Sequence, residues 1–184
     1  MKLTKGIEQA ICIIALLATQ DPTIPVASFE IHKRLKGSLT YTKKIIRKLV
    51  VANLVQSVSG NNGGFSLACD SSEINLLQIV EALEGPIETY PDTGLMDEVF
   101  EENQAIADQG TVVLRNAFAQ ADLLWREALR SKTVHQLIQE ALGNKKILPI
   151  NWNHSEERRE LLIRKVMRNI YGNDQERVEE DKEE

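Results

Sequence analysis

The fold is decided by one stretch, residues 28–52, which reads SFEIHKRLKGSLTYTKKIIRKLVVA. Ser28 is predicted as the N-cap of a short helix that ends at Leu35. Gly37 breaks this helix, and the apolar spacing predicts a second helix over 39–52. Two helices joined by so short a turn form the arrangement that a helix-turn-helix requires. The positions predicted to face inward are Phe29, Ile31 and Leu35 in the first helix, and Leu39, Ile45, Ile46, Leu49 and Ala52 in the second.

The free face of the second helix is rich in cations, which are the side chains that contact phosphates and base edges in DNA. Its N-terminal end carries hydroxyl groups that could position the helix on a duplex, with Ser38 or Thr40 as its N-cap. The candidate DNA-binding residues of this helix are Ser38, Thr40 and Tyr41 at the N-terminal end, and Lys43, Lys44, Arg47 and Lys48 along the free face.

A β-hairpin is predicted directly after these helices. Residues 54–58 and 65–68 have the composition of strands, and the sequence SGNNGG between them is typical of a turn. A helix-turn-helix followed at once by a hairpin is a winged helix, whose wing tip contacts the groove beside the recognition helix. The candidate DNA contacts in the wing are Ser59, Asn61 and Asn62.

Charge is distributed unevenly along the 184 residues, which have a formal net charge of −5. Residues 1–64 contain nine Lys or Arg and three Asp or Glu, a net charge of +6, so the remaining residues carry −11. A basic first third on an acidic protein indicates a surface that binds a polyanion. The same lysines could instead simply solvate two exposed helix faces, and charge alone does not decide between these interpretations.

Several other classes of protein find no support in the sequence. No apolar run approaches the roughly 18 residues that span a bilayer, and no signal peptide is evident, so a cytoplasmic protein without a membrane partner is expected. Cys12 and Cys69 are too few for a disulfide framework or a four-thiolate metal site. Cys12 is predicted to be a small core residue, and Cys69 has no evident cause for a lowered pKa. Without a nucleophile–base pair, a phosphate loop or a metal motif, neither an enzyme nor a metal site is expected.

Helices are predicted on both sides of the winged unit. One spans residues 5–19, and another spans 76–84 with Asn75 as its N-cap. Thr133 opens a capping box, in which the N-cap and the third helical residue bond each other's backbone, and starts a short helix. An amphipathic helix over 156–171 could bind a membrane or nucleic acid, but is expected to pack on the body of the protein.

A longer helix is predicted between these elements. It begins near Asp97, is interrupted near Gly110, and continues from Val112 to Arg130. Its apolar residues recur with steps of four and three, which is the spacing of a dimerisation seam. An ordinary amphipathic helix on its own core would show the same spacing over two heptads. The candidate dimerisation residues are Leu114, Phe118, Ala121, Trp125 and Ala128.

Several short motifs run through the first 86 residues. They include Gly63-Gly-Phe65 in the wing and Glu81-Ala-Leu-Glu-Gly-Pro86 after it. With these motifs, the chain resembles the Rrf2-type family of bacterial winged-helix regulators, whose members include IscR, NsrR and CymR. Residues 133–138 also resemble the threonine-led helix that follows the family's dimerisation helix. Further matching residues are Met1-Lys-Leu-Thr4, Ser38-Leu-Thr-Tyr41, Asn53-Leu-Val55, Ser57-Val-Ser-Gly60 and Leu67-Ala68.

A long helix that leaves a compact domain must bury its apolar stripe elsewhere, and a second copy related by a twofold axis is the simplest partner, so a homodimer is expected. The two recognition helices of such a dimer would enter successive major grooves of double-stranded DNA, which predicts an inverted-repeat site. The resemblance implies a sensor segment at residues 86–110, where a small-molecule or protein effector could act. Many family members hold an iron–sulfur cluster on three cysteines in this region, but residues 70–184 contain no cysteine, so no cofactor is expected. The family often has Leu-Glu-Gln where this chain has Thr42-Lys-Lys44, and an arginine where Ser59 stands. A relative's operator sequence is therefore not expected to transfer.

The expected fold is mainly α-helical with a small β-hairpin. Residues 1–86 are predicted to form a winged helix-turn-helix DNA-binding domain, and 87–143 the sensor-position segment and dimerisation helices. Residues 144–184 are predicted to form a linker, the amphipathic helix and an acidic tail. The leading function is a homodimeric, sequence-specific DNA-binding transcription regulator, and a repressor by analogy with the family. The alternative is a winged-helix dimer that binds a protein partner, with weak or no specific DNA binding.

Overall fold

The computed structural model describes residues 3–143 and 149–154, together with positions 163, 164 and 167. Within these residues the chain forms seven α-helices and a two-stranded antiparallel hairpin, which confirms the predicted fold class. The helix predicted over 156–171 lies outside the described residues, apart from three isolated positions. The elements in chain order are α1 (Lys5–Ala18), α2 (Ser28–Leu35), α3 (Leu39–Val51), β1 (Val55–Val58), β2 (Gly64–Leu67), α4 (Leu76–Glu84), α5 (Leu95–Val99), α6 (Gln104–Arg130) and α7 (Val134–Ala141).

None of the helices in the described part of the chain combines the length and the hydropathy needed to cross a membrane.

The core is built around α1, whose side chains Ala10, Ile13 and Ile14 are almost completely buried. Helices α3 and α4 pack against α1, and α7 packs against it as well. The prediction that Cys12 is a core residue was wrong, because its side chain is exposed. Cys12 lies on the side of α1 that the core does not cover. When a whole segment is apolar, its sequence alone does not show which side of the helix the core covers.

Helices α2 and α3 form the predicted helix-turn-helix, with Ile31, Ile45 and Leu49 buried between them and α1. Three of the predicted inward positions were wrong. Phe29 is 69% exposed and Leu39 is 45% exposed, and Ala52, which follows the last residue of α3, is exposed as well. Phe29 and Leu39 stand in the first turn of their helices and Ala52 stands just beyond the end of α3, so all three lie outside the length of helix that the core covers. Apolar spacing identifies the face of a helix but not how far along it the core extends.

The helix-turn-helix also differs from the prediction at its helix ends. The N-cap of α2 is Ala27, so the predicted cap Ser28 is the first helical residue. The residue that ends α2 in the left-handed conformation is Lys36, with φ of 48°, rather than Gly37. Ser38 is the N-cap of α3, but its side chain makes no capping hydrogen bond.

The hairpin of β1 and β2 carries an additional strand-like pairing. Its register runs from Val55 opposite Leu67 to Val58 opposite Gly64, one residue short of the predicted strands at their outer ends. Val26, just before α2, pairs with Phe65 through two backbone N–O hydrogen bonds of 2.9 Å. The wing is therefore tied to the start of the helix-turn-helix.

Helices α4 and α7 begin side by side. Asn75 and Thr133 are the N-caps, and each forms a complete capping box, as predicted for Thr133. The two residues form an antiparallel bridge, in which the N–H of Leu76 donates to Lys132 O at 3.0 Å and that of Val134 donates to Ile74 O at 2.8 Å. After forming α4, α5 and α6, the chain therefore returns to the start of α4.

Helix α6 is continuous over 27 residues, so the predicted interruption near Gly110 was wrong. A glycine inside a helix costs about 1 kcal/mol relative to alanine, which packing can offset. Here a Cβ at residue 110 would stand 2.5 Å from Met96 Cε, so the glycine admits the Met96 side chain of α5. The predicted start near Asp97 was also inaccurate, because α5 begins at Leu95 and Asn103 caps α6 separately.

Residues 149–154, which we call the C-terminal strap, lie against the winged domain instead of forming the predicted linker. Ile150 pairs with the end of α1, since its N–H donates to Thr19 O at 2.8 Å and its carbonyl accepts from Asp21 N at 3.2 Å. The backbone N–H of Trp152 donates to Gln20 Oε1 at 2.9 Å. The Asn153 side chain bonds the backbone on both sides of Val26.

We expect Gly64→Ala to destabilise the protein by about 1–3 kcal/mol, because overpacking has a cost of this size. A Cβ at residue 64 would stand 2.2 Å from Val26 O, which is backbone that cannot move without breaking the pairing with Phe65. Gly37→Ala is the control, because its Cβ would meet the flexible Gln9 side chain at 3.2 Å. Urea denaturation should show the loss for residue 64 alone, and equal losses would contradict the assigned role of the wing pairing.

Candidate nucleic-acid interface

Helix α3 presents a cationic face to solvent. Lys43, Lys44 and Arg47 are all exposed, and α3 contains no acidic residue. Between them, Thr42, Ile45 and Ile46 are buried and hold the opposite face of the helix on the core. Three of the predicted cations therefore stand together on one rigid surface without a neutralising carboxylate on their own helix, which suits a polyanion.

Lys48 is placed differently from the other cations of α3. Its side chain is half-buried, and its amine donates a hydrogen bond to the backbone carbonyl of Leu83 near the end of α4. A cation at the C-terminal end of a helix also interacts favourably with the helix dipole. In the described structure this lysine joins α3 to α4, and it does not extend toward solvent with Lys44.

The N-terminal end of α3 presents three polar side chains. Ser38 and Thr40 are exposed, and the Ser38 hydroxyl is not used in capping. Tyr41 is partly exposed and reaches the start of α1, where a Cβ at Gly6 would stand 2.8 Å from the tyrosine hydroxyl oxygen. The glycine at residue 6 thus leaves room for Tyr41, which spans the gap between α1 and α3.

A crevice of about 400 Å³ separates α3 from the wing. Lys43 and Arg47 line it from α3, Ser57 lines it from β1, and Ser28 lies at its end on α2. Ser28 and Ser57 were not among the predicted site residues. Their hydroxyls can donate to phosphate oxygens. Their positions in the sequence, at the first residue of α2 and in the middle of β1, could have identified them.

The wing tip is exposed, including the predicted contacts Ser59, Asn61 and Asn62. Its turn is closed by a hydrogen bond of 2.9 Å from Gly63 N to Gly60 O. A Cβ at residue 63 would stand 2.5 Å from Val58 O, so glycine allows this tight turn. The result is a tight turn that presents polar side chains to solvent.

The predicted dimerisation residues of α6 do not share one environment. Trp125 is partly buried and packs against the core of its own chain. Phe118 is partly exposed, and its ring centroid lies 5.5 Å from that of Tyr90. Ala121 and Ala128 are exposed. They stand three and four residues from Leu124, which is 68% exposed, so they lie on the side of α6 that faces away from the core.

The sensor-position segment is bound to α6 by polar contacts. The Thr89 backbone N–H and hydroxyl donate to the buried carboxylate of Asp122 at 3.0 and 2.6 Å. The Arg115 guanidinium donates to the Asp92 carboxylate and holds the pKa of that carboxyl below its usual value. These carboxylates therefore hold the segment in place against α6.

Residues 3–140 match the protein family described as Rrf2, an iron-dependent transcriptional regulator. YwgB of Bacillus subtilis (strain 168), named as an HTH-type transcriptional regulator, is 31% identical over 138 residues, which are 75% of this chain and 85% of YwgB. The structure of CymR, described as the global cysteine regulator of B. subtilis, is 23% identical with a TM-score of 0.52, over 76% of this chain and 98% of CymR. IscR of T. potens is 24% identical with a TM-score of 0.53, over 77% of this chain and 88% of that one. The two structures support the fold, and the family consists of regulators rather than enzymes.

The description of that family as iron-dependent raises the question of which residues could hold iron. The cysteines of this sequence are Cys12 on α1 and Cys69 after β2. Within the residues that the structure describes, no group of three His, Cys, Asp or Glu side chains is placed to hold a metal ion. Asp92 and Asp122 are engaged with Arg115 and Thr89. The described residues therefore do not fit an iron or iron–sulfur site.

Cys69 is also unsuited to sensing through its thiolate. Burial raises the pKa of its thiol, and the negative charges of Glu73 and Asp70 raise it further. Because the thiolate is the form that attacks oxidants and binds metals, this environment suppresses both reactions. The expectation that the Cys69 pKa is not lowered is confirmed.

We expect Lys44→Ala to weaken DNA binding equally for all sequences and to reduce the slope of log K against log salt by about 1, because one phosphate contact is lost. Lys48→Ala is the matched control, since its amine bonds the Leu83 carbonyl. This variant should keep the wild-type salt slope and lose about 0.5–1.5 kcal/mol of folding stability, the usual value of one hydrogen bond. Titrations at several salt concentrations test both, and a reduced slope for Lys48→Ala would show that this lysine leaves Leu83 to bind phosphate.

Proposed function

The chain belongs to the Rrf2 family of transcriptional regulators, and on that premise we propose that it is a homodimeric, sequence-specific DNA-binding repressor that works without an iron–sulfur cluster. The observation that carries the proposal is the exposed, acid-free cationic face of α3 beside the wing. Such a protein acts where its DNA is, which in bacteria is the cytoplasm.

Helix α3 serves as the recognition helix in this proposal. Lys43 and Arg47 face the crevice beside the wing, where they would meet base edges in the major groove; lysine and arginine favour the acceptors of guanine. Lys44 and the hydroxyls of Ser38 and Thr40 would contact phosphates and set the position of the helix. The wing tip, with Ser59, Asn61 and Asn62, would lie against the adjacent groove.

Dimerisation through α6 is supported by the side chains that this helix leaves uncovered. The helix is about 40 Å long, and two of its residues, Ala107 and Asp122, are buried in the chain. Ile106, Val113 and Leu124 are each more than half exposed. Because a soluble chain rarely exposes a long apolar stripe, a second copy related by a twofold axis is the simplest cover.

The proposed dimerisation seam differs from the expected one at Trp125. The exposed apolar residues of α6 recur at or near multiples of 3.5 residues, at Ile106, Val113 and Leu124. The predicted residues Ala121 and Ala128 fall on the same face as Leu124. Leu114 and Phe118 would flank this seam, since both are partly exposed. Trp125 instead anchors α6 to the core of its own winged domain.

Repression is the proposed mode because it requires only that the protein bind its DNA site. A dimer that covers its site on DNA excludes other proteins from that site by occupancy alone. Activation would need a further surface that contacts the transcription machinery. The chemistry of the chain supports a cluster-free regulator, since carboxylates that already hold Arg115 and Thr89 are poor substitutes for three thiolates.

We expect Leu124→Glu to convert the dimer into a monomer. In a single chain this position is exposed and tolerates a carboxylate, whereas in a dimer seam the charge would be buried without a partner, at a cost of several kcal/mol. Val51→Glu is the control, because Val51 is 79% exposed at the end of α3, far along the chain from α6. Sedimentation equilibrium should give the 20.7 kDa of one chain for Leu124→Glu and twice that for Val51→Glu. A dimeric Leu124→Glu protein would place the interface elsewhere.

We expect a binding-site selection with the wild-type protein to recover an inverted repeat, with half-site centres about 34 Å apart or a multiple of that distance. Repeating the selection with Lys43→Ala should relax the preference at one symmetric base position, by roughly 1–3 kcal/mol. Lys44→Ala should recover the unchanged site. If the wild-type protein recovers no inverted repeat and binds all DNA equally weakly, sequence-specific regulation is excluded and a protein-partner module takes its place.

A further inference from the structure

An apolar cavity of about 510 Å³ lies behind the DNA-binding face, between α1, α7 and the C-terminal strap. Leu16 forms its wall on α1 and Ile138 its wall on α7, while Ile79 of α4 lies at its base. Ile150 and Trp152 of the strap close one side. Residues 149–154 lie beyond the part of the chain that matches the family, so the cavity combines a family domain with a segment outside that match.

The chemistry of the lining restricts what the cavity can hold. Its volume lies within the usual range for small-molecule sites, and none of its described lining side chains carries a charge. The Thr19 hydroxyl is already engaged, since it donates to Ala15 O at 2.9 Å and accepts from Trp152 Nε1 at 3.1 Å. An ionic ligand would lose its hydration there without compensation, so the cavity suits an uncharged, largely apolar molecule.

The strap also connects this cavity to the helix-turn-helix. The carbonyl of Trp152 accepts from Arg34 Nη2 at 2.7 Å, and the Arg34 guanidinium carbon lies 5.2 Å from the centroid of the indole ring. Arg34 stands in the last turn of α2 and pairs with Glu30 at 2.7 Å. A displacement of Trp152 therefore acts directly on the helix that precedes the recognition helix.

A second connection leads from the strap to the wing. Asn153 Nδ2 donates to Pro25 O and its Oδ1 accepts from Ala27 N, both at 2.9 Å. These two backbone groups flank Val26, whose own N–H and carbonyl pair with Phe65 of β2. The side chain of Asn153 thus occupies the outer edge of the strand that holds the wing.

We propose that the cavity between α1, α7 and the C-terminal strap is an effector site for an uncharged, apolar small molecule, and that its occupancy reaches the DNA-binding face through Trp152 and Arg34. The second half of this proposal rests on the proposed function, because it concerns DNA affinity. The first half concerns binding alone and is measured separately.

The binding test uses the full-length chain and N-phenyl-1-naphthylamine, an uncharged apolar dye that fluoresces when it leaves water. Saturable binding with a dissociation constant on the order of micromolar is expected. Ala15→Phe and Ala141→Phe each fill the cavity from a different helix and should weaken binding by about tenfold or more, because an overpacked site has no room for the ligand. Ala119→Phe, on the exposed surface of α6, adds the same group elsewhere and is the control.

Two outcomes of this titration overturn the site. One is the absence of saturable dye binding to the full-length chain, which would also be the result if another part of the chain fills the cavity. The other is dye binding that both cavity-filling variants leave unchanged, which would place the dye on the exposed apolar surface of α6. Using two filling variants on different helices keeps the result interpretable if one of them fails to fold.

The coupling test measures affinity for the selected inverted repeat with and without saturating dye. A change of roughly fivefold or more is expected, and DNA should change the affinity for the dye by the same factor, because coupling is reciprocal. Arg34→Met should preserve dye binding and bring this factor close to one. Lys36→Met, which removes a charge from the same end of α2, should leave the coupling factor at its wild-type value. Coupling that survives Arg34→Met overturns the proposed route, whereas a wild-type protein that selects no DNA site overturns the proposed function and leaves the dye titration standing.

Discussion

The rest of the structure depends on the need to cover α1 on more than one side. The segment from Ala10 to Ala18 is apolar throughout, so one buried stripe does not suffice. Helices α3 and α4 cover the side that carries Ile13 and Ile14, and this packing fixes the recognition helix. The opposite side remains for α7 and the C-terminal strap, which cover it incompletely. The proposed DNA-binding face and the apolar cavity therefore both depend on how one helix, α1, is covered.

Local patterns predicted most of the fold because the forces that form these elements act between near neighbours. The helix-turn-helix, the hairpin and the helix N-caps at Asn75 and Thr133 each depend on residues a few positions apart. Two of the wrong predictions depend on distant partners. Gly110 lies inside α6, where its missing side chain leaves room for Met96 of α5, and Cys12 is exposed because the core lies on the other side of α1.

The sequence predicted the charge of the candidate site but not the contacts that its side chains make with the rest of the protein. Exposure of Lys43, Lys44 and Arg47 follows from helical spacing, whereas the bond from Lys48 to Leu83 depends on how α3 and α4 pack. The strap was missed for a related reason. Its asparagine-rich composition is typical of a linker, yet the Asn153 side chain bonds the backbone groups of Pro25 and Ala27 that flank Val26.

The bridge between Asn75 and Thr133 has a consequence for how the molecule can change over evolution. The bridge closes a loop that contains α4, α5 and α6, and α4 packs on α1 and α3 as well as on α6. The entropy of closing a loop grows only slowly with its length, so an insertion between α5 and α6, away from Trp125 and its packing on the core, would disturb the winged domain little. The part of α6 that contacts α4 is therefore constrained by packing, whereas the connection between α5 and α6 is free to change its length over evolution.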